Sequence, residues 1–324
     1  MNAAAGEHWQ AVLKHALAGH DARILARVPK TDLHCHGLLS APLSVYERLL
    51  GHPLPPPPAA FADFSAFISY ITANLLPALT GRGAVQAVMR AAFDRLADEG
   101  VVYAEMSFDL LVPDLIGVEV EEFAAVLAAE IERVAGRITI APEVGINRKL
   151  PADAAEPRLR AWIATGVCRG IDLYDDESYG EVEDFVPLYR LAEARGLKLK
   201  AHAGELCGPK RVRESVEKLN LHAVQHGVRA AESPEVTQLL AERGTLLHLC
   251  PTSNVALGVC DTLENHPARQ LFAQGVKITV NSDDFTLFGV GVCDELLNLS
   301  RMGFSPDEIV QIVENGLGEQ PPKA

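Results

Sequence analysis

The sequence predicts an α/β fold, a (β/α)8 TIM barrel, on three observations. Short apolar, β-prone segments alternate eight times with segments of helical period between residues 30 and 284. Glycines close many of the helical segments, at Gly100, Gly136, Gly196, Gly244 and Gly275, as suits a helix C-terminus before a strand. The polar residues of the strand segments collect at their C-terminal ends, where a barrel gathers its site. A doubly wound sheet is the alternative. It more often carries a glycine-rich phosphate turn after its first strand, and none follows residues 30–37 here.

In order along the chain, residues 7–18 read as an amphipathic N-terminal helical extension. The strand segments are 30–37, 101–108, 138–147, 170–176, 197–205, 223–227, 245–251 and 276–284. Helical spacing runs over 84–99, 118–134, 182–195, 210–219, 234–243 and 267–274. The proline run 53–58 is neither helix interior nor central strand. The aromatic segment after it, with Phe61, Phe64 and Phe67, reads either as an apolar lid over a ligand or as a core-facing helix stripe. The length of 324 residues suits one domain, 1–324, since such barrels take about 250 residues before extensions.

Composition narrows the function classes. With 29 Lys+Arg against 43 Asp+Glu, the formal charge is −14. That disfavours nucleic acid and anionic membrane surfaces, whose binding rests on neutralising phosphates. The N-terminal residues lack a basic segment followed by an apolar run, and no stretch reaches the roughly 18 apolar residues of a membrane span. The six cysteines are scattered, with no Cys-x-x-Cys pair, and read as reduced thiols. A cytoplasmic location follows as an expectation. The oligomeric state is not legible.

The chemistry lies at the strand ends. His34 and His36 end the first segment, His202 and Glu205 the fifth, His226 the sixth, and Asp283 and Asp284 the eighth. Residues two apart on a strand share a face, so both imidazoles of His34-Cys35-His36 can point inward while Cys35 points outward. A buried histidine pair would look the same. With His202 and Asp283 added, three imidazoles and a carboxylate make a Zn²⁺ ligand set, less suited to iron or manganese. Glu205 serves as a proton donor if burial raises its pKa, or else caps the next helix. His226 is a core histidine or a base for a water. Asp283 and Asp284 form a turn or divide between metal and substrate. His8, His15, His20, His52 and His266 read as surface residues, and His222 and His248 as structural. Arg148 and Lys149 read as solvated charges, or as contacts to an anionic substrate group.

The blocks Thr31-Asp-Leu-His-Cys-His36, His202-Ala-Gly-Glu205, Gln225-His-Gly227, Cys250-Pro-Thr-Ser-Asn254 and Asn281-Ser-Asp-Asp284 together resemble the adenosine deaminase family of the amidohydrolase superfamily. The agreement in order and spacing runs from about residue 28 to 316. The resemblance implies one Zn²⁺ per chain held by His34, His36, His202 and Asp283. It implies that Glu205 protonates purine N1, that His226 orients the attacking water and takes its proton, and that Asp284 hydrogen-bonds the substrate. The reaction implied is hydrolytic deamination of a 6-aminopurine, with water adding at C6 and ammonia leaving. The fourth segment holds no lysine, so a carboxylated-lysine bridge between two metals is not expected.

Two positions depart from the family pattern. Leu38 stands where the family has an acidic residue that contacts the ribose 5′ hydroxyl, and a buried hydroxyl without a partner costs about 1–3 kcal/mol. Asp175 stands where a glycine lets the backbone approach the purine. Both touch substrate choice and neither touches the reaction. The substrate expected is adenosine or, given Leu38, a 5′-modified adenosine, with Asp284, Asp175, Leu38 and Phe64 around it. Free adenine is the alternative, and a purine-binding barrel without catalysis is another.

Overall fold

The structure is a computed structural model that describes residues 3–321. Eight parallel strands run in the order β1 to β8. They are β1 Lys30–His36, β2 Val101–Asp109, β3 Thr139–Asn147, β4 Gly170–Tyr174, β5 Lys198–Ala203, β6 Ala223–His226, β7 Leu246–Leu249 and β8 Ile278–Val280. A bridge between Cys35 and Asp283, with the Asp283 N–H donating to His34 O at 3.0 Å, closes the sheet into the predicted (β/α)8 barrel.

The core follows from the strand period. Side chains facing out from the strands pack under the surrounding helices, while Leu33, Tyr103, Ala141, Ala223 and Leu246 form a separate small cluster. The helices Arg82–Asp98, Val120–Val134, Val182–Glu193, Pro209–Lys218, Pro234–Arg243 and Ala268–Ala273 match the helical spacing of the sequence within a few residues. The closing glycines all adopt positive φ, from 67° at Gly244 to 89° at Gly136, a region open to residues without a Cβ.

Besides four short helices, four longer ones have no counterpart in the helical spacing of the sequence: Leu43–Leu50, Ala152–Ala164, Val292–Arg301 and Pro306–Leu317. The first interrupts a loop, and the second holds Pro157 inside it. The last is set by a Ser305–Glu308 capping box and packs across the start of β1. There a Cβ at Gly316 would lie 2.2 Å from Thr31 Oγ1, so glycine permits that approach.

The aromatic segment becomes a broken helical strap over the C-terminal mouth. Asp63 caps the helix Phe64–Tyr70, which passes into a π-helical turn, Ile71–Leu75, and a 3-10 turn, Leu76–Ala78. Such π-turns interrupt ordinary helix most often at functional sites. Among the described residues, no single helix is long and apolar enough to cross a membrane.

Candidate active site

A register shift between Asp32 and Cys35 aligns the end of β1 with its neighbour. His34 and His36 turn into the barrel, and Cys35 turns out, its Sγ 3.6 Å from Glu105 O. His34 Nε2 lies 3.1 Å from His202 Nε2. Asp283 Oδ1 lies 3.5 Å from His34 Nε2 and 3.4 Å from His36 Nε2. His34, His36 and His202 therefore form one cluster, and Asp283 approaches two of its three imidazoles.

Their hydrogen bonds test whether a cation suits them. Asp172 Oδ1 lies 3.1 Å from His202 Nδ1, which keeps the proton there and leaves a lone pair on Nε2. His34 Nδ1 faces His248 O at 3.5 Å, so its Nε2 also points a lone pair inward. Two lone pairs 3.1 Å apart repel in a buried site, and a shared cation removes the repulsion. The donor set fits a metal.

Backbone strain marks the same place. Among the described residues, five non-glycine residues have positive φ, and three of them are Asp175 at 79°, His226 at 60° and Asp283 at 53°, all at this mouth. Each such conformation costs on the order of 1 kcal/mol or more and persists only where packing imposes it. At His226 it turns the ring into the mouth, beside the β5 end. His226 Nε2 comes within 3.5 Å of Glu205 Oε2 and 3.8 Å of Asp283 Oδ2.

Glu205 and Asp284 are buried, and each keeps one side-chain oxygen, Oε1 and Oδ1, without a hydrogen-bond partner. Burial, reinforced by Asp283, pushes the Glu205 carboxyl well above the usual range. Burial raises Asp284 to about 8, against the pull of His36 and with the push of Asp283.

These groups line an inner chamber of about 80 Å³ with Leu39, Phe64, Phe67, Ile68 and Ile71. Tyr174, Asp175, His36 and the strap residues Ile68 and Ile71 separate it from an outer chamber of about 340 Å³. Leu38 lines the outer chamber and not the inner one. Phe64 and Phe67 line the inner chamber. Phe61 does not reach either chamber and packs edge-on against Phe67 at 5.4 Å, which is the core reading. Asp175 holds Lys149 Nζ at 2.6 Å and Asn147 Nδ2 at 2.7 Å on the chamber rim.

Two expectations need correction. Arg148 is buried rather than solvated, and its Nη2 donates to His202 O at 2.7 Å. His266 is buried rather than on the surface, and its Nε2 lies 3.1 Å from Asn254 Oδ1. Glu177 was not singled out. Its carboxylate accepts the backbone N–H groups of Gly204, Glu205 and Leu206 at 2.7, 2.8 and 2.9 Å, and so fixes the loop that carries Glu205. No local pattern distinguishes Glu177 from its acidic neighbours in the sequence.

Residues 58–319 match the sequence profile of the family described as adenosine deaminase. An adenine deaminase of Sinorhizobium medicae is 29% identical, over 90% of this chain and 94% of its own length. The solved adenine deaminase of Arthrobacter aurescens has a TM-score of 0.82 at 28% identity, covering 91% of this chain and 94% of that one. An amidohydrolase from Burkholderia ambifaria, solved with bound zinc, has a TM-score of 0.80 over 92% of this chain and 87% of that one. At 22% identity it is a likeness of fold.

Proposed function

The chain belongs to the adenosine deaminase family and is a hydrolase acting on C–N bonds of adenine- or adenosine-like substrates; from that premise we propose that it deaminates a 6-aminopurine nucleoside with one zinc ion held by His34, His36, His202 and Asp283. One observation carries the reading. Glu205 Oε1 and Asp284 Oδ1, two buried oxygens without protein partners, belong to the same chamber as the imidazole cluster. A planar purine offers ring nitrogens on both sides of its amino-bearing carbon, and those nitrogens would complete both oxygens.

Glu205 gives a proton to N1 as water adds at C6, and His226 takes the proton that the water loses and passes it to the amino group. Ammonia leaves as the new C6 hydroxyl returns a proton to Glu205, and Asp284 hydrogen-bonds the opposite edge of the ring. Bound zinc supplies a lowered pKa of water, toward about 7, at neutral pH. Phe64 and Phe67 cover the ring and limit water access.

Leu38 and the outer chamber support a 5′-modified adenosine. The chamber's 340 Å³ is within the usual range of small-molecule pockets, about 300–1,000 Å³. Leu38, Leu75, Leu76, Leu79, Leu111 and Val112 make it apolar, and no Lys or Arg lines it. Asp109 and Asp175 at its edge disfavour a phosphate. A nucleoside with an uncharged apolar group at C5′ fits these walls. Free adenine is a second reading, favoured by the activities of the Sinorhizobium and Arthrobacter relatives.

The test is ammonia release by zinc-loaded protein from adenosine, 5′-deoxy- and 5′-alkylthioadenosines, adenine and AMP. Preference for the 5′-modified compounds is the expected result. Turnover of adenine alone selects the second reading. Silence across the panel, with zinc bound, removes the deaminase reading and leaves a purine-binding barrel.

A further inference from the structure

His36, Leu39, Ile68, Ile71, Tyr174 and Asp175 line both chambers. A ligand that fills the inner chamber and continues into the outer one passes between them. Leu39, Ile68 and Ile71 offer it no hydrogen bond. His36 belongs to the imidazole cluster. The Tyr174 hydroxyl donates to Asp109 Oδ2. What remains at the boundary is the carboxylate of Asp175. Its Oδ1 accepts from Lys149 Nζ and from the Asp176 N–H, both at 2.6 Å. Its Oδ2 accepts from Asn147 Nδ2 at 2.7 Å, a single donor among the described residues. A carboxylate oxygen takes about two donors, so Oδ2 has one place open.

We infer that Asp175 is a specificity-determining residue, accepting a hydrogen bond from the 2′ or 3′ hydroxyl of the substrate's ribose. The inference rests on the nucleoside reading and assigns the side of the sugar that the reading leaves open. The apolar walls around Leu38 take the C5′ substituent. The vicinal hydroxyls are donors, and the boundary offers them an acceptor. Ser107 Oγ, buried and without a protein partner, belongs to a residue that lines the outer chamber, and it has a hydrogen bond open to the second hydroxyl. Free adenine has no hydroxyl to offer either group.

The backbone supports the assignment. Asp175 holds φ at 79°, a conformation natural to glycine and strained for a residue with a Cβ. A glycine would remove the strain and leave the boundary without this acceptor. Asn147 ends β3, and Lys149 follows it by two residues. Both hold the carboxylate from the rim and are positioning residues, acting through Asp175. Lys149 Nζ also lies 5.1 Å from the centre of the Tyr179 ring, which steadies its ammonium on the rim.

The experiment compares kcat/KM for ammonia release by the zinc-loaded parent and Asp175→Gly on adenosine and its 2′-deoxy, 3′-deoxy and 2′,3′-dideoxy forms. In the parent, loss of the bonded hydroxyl should lower kcat/KM about 10–100-fold, the range for a hydrogen bond to a charged group. In Asp175→Gly the same ratio should shrink to about twofold, because the acceptor is gone. The two singly deoxygenated compounds identify the hydroxyl that Asp175 meets. A merely structural role would slow all four compounds alike. No penalty in the parent, or an equal penalty in both proteins, overturns the inference. If Asp175→Gly does not fold, Lys149→Met answers at an exposed position. It should shrink the parent's ratio at least about threefold, and an unchanged ratio overturns the inference. A parent that releases ammonia from adenine and from no nucleoside overturns the nucleoside reading and the inference together. A parent that accepts nucleosides without regard to the hydroxyls overturns the inference alone. If no compound releases ammonia, calorimetric titration with inosine and 2′,3′-dideoxyinosine makes the same comparison without turnover. Tighter binding of inosine by the parent, lost in Asp175→Gly, is then the expected result, and equal affinities overturn the inference.

Discussion

Two buried polar layers lie along the barrel axis, and they handle charge differently. In the lower layer Lys200 Nζ sits 2.9 Å from Glu105 Oε2 and 2.8 Å from Glu143 Oε2, and also donates to Leu33 O at 2.8 Å. Glu105 takes Lys198 Nζ at 2.6 Å and Tyr103 OH at 2.9 Å. Every carboxylate there has an ammonium against it. In the upper layer Glu205, Asp283 and Asp284 have no Lys or Arg partner among the described residues, and imidazoles face Glu205 and Asp283 at 3.4–3.8 Å. The same strands supply both layers: Lys200 and His202 are two residues apart on β5, as Glu105 and Ser107 are on β2. A layer that only holds the barrel together settles its charges internally. A layer built for chemistry leaves donors and acceptors for what binds there, because a group already paired gains nothing in a transition state.

The largest effect should come from the upper layer. Glu205→Gln keeps the shape and removes the acid, so kcat should drop about 10²–10⁴-fold. The melting temperature should hold or rise, because a buried ionisable group is gone. Ammonia-release kinetics and calorimetry on one preparation check both halves. A large loss of stability would erase the contrast between the layers.

Lys200→Met tests the lower layer. It leaves Glu143 without a cation in the barrel core, and breaking a buried pair costs about 3–5 kcal/mol. Urea unfolding should show that loss, and Glu143→Gln in the same chain should recover part of it. Additive losses would mean that the two side chains do not act as a pair.

Metal removal comes next. Stripping zinc with a chelator should lower the melting temperature, and zinc at a hundred times its Kd should restore about 2.7 kcal/mol. Protein with His202→Asn should gain less from added zinc. Equal gains would remove His202 from the ligand set.

The smallest effect concerns Glu295, a buried carboxyl outside both layers that accepts the Thr252 N–H at 2.9 Å. Burial raises it to about 7. A raised acid binds its proton more tightly in the folded state, so this stability is present below the unfolded pKa of about 4.5 and fades as pH rises through 7. Glu295→Gln should flatten that slope and be more stable than the parent above pH 7. An unchanged slope in pH-dependent unfolding would assign the effect to other carboxyls.

Legibility followed the range of the interactions. The alternation of β-prone and helical segments, the closing glycines and the pair His34 and His36 depend on neighbours within a few residues, and they read directly. The helix Ala152–Ala164 is hidden by Pro157 inside it, and its Ala155, Leu159 and Trp162 are buried only by what folds against them. Arg148 and His266 misread because a charged or polar residue in a loop usually meets solvent. Their partners, His202 and Asn254, are 54 and 12 residues away. The strap was ambiguous because Phe61 and Phe64 differ only in what folds against them.

The sequence by itself determined the barrel, which polar residues end its strands, and the family to which their spacing points. Those are properties of period and order. Only the tertiary structure decided which lone pairs face one another and which carboxyl oxygens remain without partners. Those are contacts between residues far apart in the chain, as His34 Nε2 and His202 Nε2 are, 3.1 Å apart in space and 168 positions apart in sequence.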